Sequence, residues 1–388
     1  MDENIMSIKS TDQTVITAIS MVSSLGSVVP ACAAARAGLN RFRAIDKVVP
    51  DPGEIEPALV MASPVESVSG TEDYGRLIHL SLPALKELMI EIQLNDLDLS
   101  RTELIVIFPP PEYRPSLDDI ESTEIVFLQG VEQFFRQRLY KWIGNYLQGL
   151  TITIVEGGHA GCIGVFHDVL KKLEQGKNER YIILGVDSYL DSANLDWLAG
   201  SGRLKLPNMP AGLIPGEGAA VVVLEATSSA KRRNVPFLSY LGPVSYQEAS
   251  FSGVNDKNEE VEEENIAEHF PKLSGDVLSN VIKDAIKYNP NKDQKLGTII
   301  TDLNGEPNRA KYFANSLINV GDSYPRIRDL SIWCPAENFG DVGAATGVFH
   351  ICLAVRAFQR GYAKGDEIII CNTSDDGSTG AMLLHETV

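Results

Sequence analysis

The chain has 388 residues, 44% apolar and 22% charged, enough for two domains of ordinary size or one duplicated domain with a shared core. Its 52 acidic against 34 basic residues give a net charge of −18, a field that repels a phosphate backbone and an anionic membrane surface and suits a basic partner. The five cysteines (Cys32, Cys162, Cys334, Cys352 and Cys371) are scattered, odd in number and without a CxxC pair, so no zinc site, disulfide framework or cofactor is expected.

In chain order, the opening MDENIMSIKSTDQ has neither an apolar core nor a basic start, so no signal peptide is read there. Apolar runs such as Ala219–Leu224 are too short to span a bilayer, and a reducing cytoplasm is the expected setting. A first strand is expected over Val15–Val22. Residues 41–100 and 109–150 carry helical patterns, such as LPALKELMIEI and VEQFFRQRLYKWIGNYL, that would cap the first half. The aromatic cluster Phe134, Phe135, Tyr140, Trp142 and Tyr146 fits either a dimer interface or ordinary core packing. Strands follow at Leu104–Phe108 and Thr151–Val155, then a helix within GHAGCIGVFHDVLKKLEQG (158–176), then strands at Tyr181–Val186 and Ala219–Glu225.

The pattern then recurs. Strands are expected at Phe237–Leu241, Leu296–Leu303 and Leu330–Cys334, then a helix within GDVGAATGVFHICLAVRAFQRG (340–361), then strands at Glu367–Cys371 and Gly380–His385. The tetrapeptide GVFH stands in both helices, at 164–167 and 347–350, and each helix ends near a Gly where a C′ residue belongs. Five strands in matching order around matching helices indicate duplication. Val- and Ile-rich strands without alternation indicate sheets covered on both faces. The expected organisation is a first half over 1–245, an acidic joining loop over 246–275 that includes DKNEEVEEEN, and a second half over 276–388.

The segments YIILGVDSYLD, WLAGSGRLKLP and AGLIPGEGAAVVVLEA (181–226) resemble β-ketoacyl-[acyl-carrier-protein] synthases, as do the opening VITAISMVSSLG and the closing CNTSDDGSTGAMLLHE. The block Pro215–Glu225 is the most specific part. This resemblance implies an α/β thiolase-like fold, two duplicated βαβαβ-type halves stacked as five layers, and a dimer.

That family works with a cysteine at the N-terminus of the first half's buried helix, two histidines from the second half and an oxyanion hole of two backbone N–H groups. The resemblance places His159 at the nucleophile, with Cys162 one turn further in. It places Asn304 at the first histidine, and Gly340, beside Asp341, at the second. Pro335 falls at the usual lysine and Asp376 at the gating phenylalanine. Histidine cannot form the required thioester, and asparagine carries no proton at neutral pH. Cys162 reads as core filler or as half of a Cys–His pair, and His159 as a structural histidine or a base.

Two functions stay open. One is a non-catalytic ketoacyl-synthase-like protein acting through binding, as partner subunit of a synthase or as an accessory or adaptor protein, including of a bacterial secretion system. The other is an acyltransferase, ketoacyl synthase-like protein or thioester hydrolase with an altered site, using Cys162 or His159 with Asp341, Asp376 or Asn304 assisting. Expected partners are a second copy or a related synthase in a dimer, with an acyl carrier protein or a secretion-apparatus protein as further candidates.

Overall fold

The computed structural model describes residues 13–91, 99–117, 130, 133–138, 141, 150–249, 275–287 and 295–387. The first half contributes β1 (Thr14–Ser23), which pairs the short β2 (Gly26–Ser27), then β5 (Thr102–Phe108), β6 (Thr151–Glu156), β7 (Arg180–Ser188) and β8 (Glu217–Ala226). The second contributes β9 (Ser239–Gln247), β10 (Leu296–Thr301), β11 (Ser331–Trp333), β12 (Glu367–Thr373) and β13 (Thr379–His385). A separate hairpin is formed by β3 (Arg43–Val49) and β4 (Ala58–Ala62).

The strand order is β11-β10-β12-β13-β9-β1-β8-β7-β5-β6. Read outward from the β9/β1 junction, the two arms correspond strand for strand. β5 runs parallel to β6 and β7, while β8 is antiparallel to both β7 and β1. Likewise β10 runs parallel to β11 and β12, and β13 is antiparallel to both β12 and β9. Within the sheet, among the described residues, the arms pair through Val15↔Tyr240 and Ile16↔Ser239. The duplication expected from the sequence is therefore present in the topology. The expected boundary at residue 245 falls inside β9, which pairs with β13 of the second arm.

The helices are α1 (Val28–Arg36), α2 (Asp73–Glu91), α3 (Gly161–Glu174), α4 (Ser192–Gly200), α5 (Thr227–Arg232), α6 (Gly275–Lys287), α7 (Pro307–Ser323), α8 (Ala336–Phe339) and α9 (Thr346–Gln359). Alternate strand residues enter different cores, as the pleat requires. Ile105 and Ile107 of β5 join a central cluster with α1, α3 and α9, while Leu104, Val106 and Phe108 join an outer one with α2. In the other arm Ile368 and Ile370 of β12 face the same central cluster, while Ile369 and Cys371 face α6 and α7. The succession is helix, sheet, paired helices, sheet, helices: the five layers of the expected α/β architecture. Helix α9 is buried over twelve of its fourteen residues. Burying one aliphatic side chain contributes about 1.5–3 kcal/mol, so this helix anchors both sheets.

The shared GVFH has a packing reason. A Cβ on Gly347 would lie 2.5 Å from Cys162 Cβ, and one on Gly164 2.9 Å from the Tyr246 ring. Both helices end as expected, at Gly176 and Gly361 in the left-handed region, with φ of +65° and +63°.

Residues 43–62 depart from expectation, forming a hairpin where a helical pattern was read. Val48 and Val49 favour a strand, and Pro50, Pro52 and Pro57 interrupt any helix across the turn. The helical reading of LPALKELMIEI holds in α2 as far as Glu91. Of the aromatic cluster, Phe135 is buried in the outer core and Phe134 is 40% exposed, while Tyr140, Trp142 and Tyr146 lie outside the described residues. The acidic stretch Asp256–Asn265 also lies outside them.

Candidate functional site

The site forms where loops of both halves meet at the N-terminal ends of α3 and α9. His159 lies in the turn between β6 and α3, after Gly157 and Gly158. A Cβ on Gly158 would sit 2.8 Å from the Ser374 side chain, so glycine lets the closing loop of the second half come close. That loop is then stitched down. Ala160 N donates to Ser374 Oγ at 2.9 Å, and Asn372 Nδ2 donates to the His159 carbonyl at 2.9 Å.

Asp341 is set by backbone bonds on either side of Pro215: its N–H donates to Ile214 O at 2.8 Å, and Gly216 N donates to its carbonyl at 2.8 Å. A Cβ on Gly216 would meet Phe339 O at 2.4 Å. Gly340 turns the chain at φ +73°, and a Cβ there would approach Ile214 O at 2.9 Å. Gly216 and Gly340 thus serve a backbone-to-backbone contact that carries the Asp341 carboxylate inward.

Three of the sequence-predicted residues converge. His159 Nε2 is 2.8 Å from Asp341 Oδ1, and Asn304 Nδ2 donates to Asp341 Oδ2 at 2.6 Å. Asp341 Oδ1 also accepts from Gly343 N at 2.8 Å. On the other ring edge, Arg309 Nη2 is 3.3 Å from His159 Nδ1. A guanidinium only donates, so Nδ1 accepts and Nε2–H donates to Asp341. Both ring nitrogens are then in use within the protein.

Around this trio lies a charged cluster that sequence reasoning missed. Arg309, from the first turn of α7, bonds Asp302 at 2.8 Å and Asp375 at 2.6 Å. Arg203, from the GSGRL loop, bonds Glu306 at 2.7 Å and Asp375 at 3.0 Å, and Glu306 accepts from Asn304 at 2.8 Å. All of these side chains are buried. Burial alone would raise the Asp341 carboxyl pKa, but His159, Arg309 and the Asn304 bond outweigh it and hold the group well below the usual range. Asp375 is likewise held down, against burial, chiefly by Arg203 and Arg309. The available signal was charged residues inside otherwise small and apolar loops, Arg203 in GSGRL and Arg309 in GEPNR. A second buried pair, Arg114–Asp187 at 2.6 Å, abuts the cluster, and Asp187 accepts from Ala344 N at 2.8 Å.

Two predicted residues stand apart. Helix α3 begins at Gly161, so Cys162 is its second residue. Its side chain is fully buried in the central core against Gly347, and burial pushes its thiol far above the ordinary value. A thiolate nucleophile needs the opposite environment. Asp376 is half-buried, and its carboxylate accepts from Ser378 N at 2.8 Å and Ser378 Oγ at 3.0 Å, closing its own turn. Gly377, at φ +93°, completes that turn.

Two cavities flank His159, each of about 10 Å³. One is lined by Asn304, Phe339 and Asp341, the other by Tyr113, Tyr189 and Asp375. A volume near 10 Å³ holds one water. Among the described residues no group of three or more His, Cys, Asp or Glu is placed to hold a metal, and no helix is long and apolar enough to cross a membrane.

No protein-family model and no curated protein matches the chain. Solved structures do. The oxazolomycin ketosynthase domain of Streptomyces albus matches with a TM-score of 0.74 at 14% identity, over 97% of this chain and 75% of that one. A type II polyketide ketosynthase, solved in complex with its acyl-carrier protein, matches at TM-score 0.73 and 12% identity, over 98% of this chain and all of that one. The ishigamide ketosynthase/chain length factor matches at TM-score 0.63 and 15% identity, over 97% and 100%. The chain has the thiolase-like ketosynthase fold.

Proposed function

We propose that this chain is a ketosynthase-like protein that performs no condensation and acts through binding, as the partner subunit of a related synthase or as an accessory or adaptor protein. One observation carries the reading: His159, Asn304 and Asp341 are satisfied by one another and by Arg309, beside cavities with room for a single water. Acyl transfer between thiols needs a thiolate and a channel for the acyl chain. The ketosynthase/chain length factor among the matched structures supports a synthase-type partner, and the ketosynthase solved with its acyl-carrier protein keeps a carrier among the candidates. On this reading Asp341, rather than Gly340, stands at the family's second histidine, because Gly340 has no room for a side chain and Asp341 reaches both His159 and Asn304. The halves then divide before residue 239, with β9 in the second.

The 2.8 Å His159–Asp341 contact favours a second reading, a hydrolytic His–Asp pair. Arg309 at Nδ1 argues against it, since that base has no ring nitrogen left for a substrate.

Intact-mass analysis of the purified chain after incubation with a hexanoyl thioester, and separately with iodoacetamide under native conditions, tests the proposal. No acyl adduct is expected, and peptide mapping of the iodoacetamide sample should find native-state alkylation at most on the partly exposed Cys334, with Cys162 alkylated only after unfolding. An acyl adduct on Cys162 or His159, or steady thiol release from the thioester, would revive the enzymatic reading.

A further inference from the structure

A roomier cavity lies beside the other end of α9. The cavities near His159 are lined by Thr346, Phe349 and His350, whereas Arg356 and Gln359, about ten residues or 15 Å further along the axis, line a cavity of about 300 Å³. That volume is at the lower end of small-molecule sites, roughly 300–1,000 Å³. One wall is aliphatic: Ile19 of β1, Val28 and Val29 at the start of α1, and Ile90 near the end of α2. Ile90 and Val29 leave 71% and 48% of their surface open, more than scattered packing needs.

The polar wall carries opposite charges. Glu87 is fixed by accepting from Met21 N at 3.2 Å, and Arg356 is oriented by its bond to Gln359 Oε1 at 2.6 Å. Both charges act on the buried Cys32 thiol beneath, so they face one region of the fold.

We propose that this cavity binds a small aliphatic zwitterion with the chemistry of a leucine-type amino acid. Arg356 takes the carboxylate through its planar fork, Glu87 takes the ammonium, and Ile19, Val28, Val29 and Ile90 cover the aliphatic side chain. The site is independent of whether the His159 cluster is catalytic.

Calorimetric titration of the full chain with L-leucine tests the assignment. Saturable binding at one site is expected. Arg356→Gln and Glu87→Gln should each weaken it about tenfold or more, the loss of one charge-assisted contact. On the unaltered chain, 4-methylpentanoate and isoamylamine, which each lack one of the two charges, should weaken it similarly. Absence of binding up to about 10 mM, beyond the weak edge of specific recognition, overturns the proposal. So does equal binding of leucine and either analogue, a result that needs no variant to fold. Leucine binding unchanged in both variants also overturns it.

Discussion

At the residue scale, the central feature is His159, buried where loops of both halves meet. His159 gives one ring nitrogen to Asp341 and the other to Arg309, so its role is set by partners rather than by its own basicity. Arg309 is the centre of charge of the cluster, serving Asp302, Glu306 and Asp375. Arg309→Met removes that charge and leaves buried carboxylates uncompensated; urea unfolding should show a loss of about 3–5 kcal/mol. Acid sensitivity follows from Asp341, from Asp375 in the same way, and from His350. Asp341 is held below its unfolded value of about 3.9, so the stability it contributes is present above that pH and lost as pH falls below it. His350 is pushed down to about 3, first by burial, although it is bonded to Asn372 at 3.0 Å. Its unfolded form takes up a proton near pH 6.5, so its contribution is lost as pH falls from there towards 3. Asp191, raised to about 6 chiefly by burial, acts with the opposite sign in part of that window. The difference between His350→Gln and the parent is therefore the readout: the variant's stability should decline less steeply between pH 6 and 4, by up to about 1 kcal/mol per pH unit.

At the element scale, the two GVFH helices show what a repeated motif can mean. Gly164 and Gly347 are places where α3 and α9 come too close to Tyr246 and Cys162 for any side chain. Gly347→Ala should lower stability by about 1–3 kcal/mol through overpacking, measured as a fall in denaturant midpoint at constant slope. Every core strand was legible in the sequence because buried Val and Ile runs bounded by turn residues leave few alternatives. The β3–β4 hairpin was not, because its apolar residues are spaced ambiguously and the prolines that exclude a helix lie mostly in the turn. The site was legible in part. His159, Asn304 and Asp341 lie on motif loops, and the family resemblance located those loops. Arg203, the Glu306–Arg309 segment and Asp375 come from three separate places in the chain. Only the fold brings them together, so no local spacing announces them. Cys162 was ambiguous for a related reason: its distance from His159 along the chain says nothing of which way each side chain turns.

At the scale of the whole molecule, the two halves pair in the middle of the sheet over two residue pairs, pack through the central helices, and meet again at the His159 cluster, where loops of both halves interlock. In a catalytic protein that junction holds strain and exposed reactive groups, and stability is given up there for activity. Here the same place is filled by ion pairs and hydrogen bonds that tie Arg203 and His159 of the first half to Glu306, Arg309, Asp341 and Asp375 of the second. These ion pairs make the His159 cluster a clasp between the halves. Asp341→Asn tests it most directly, because it keeps the shape and removes the charge that both His159 and Asn304 address. Equilibrium unfolding near neutral pH should show a loss of about 3 kcal/mol. An unchanged or increased stability, the usual outcome when a catalytic carboxylate is neutralised, would contradict the claim and return the site to chemistry.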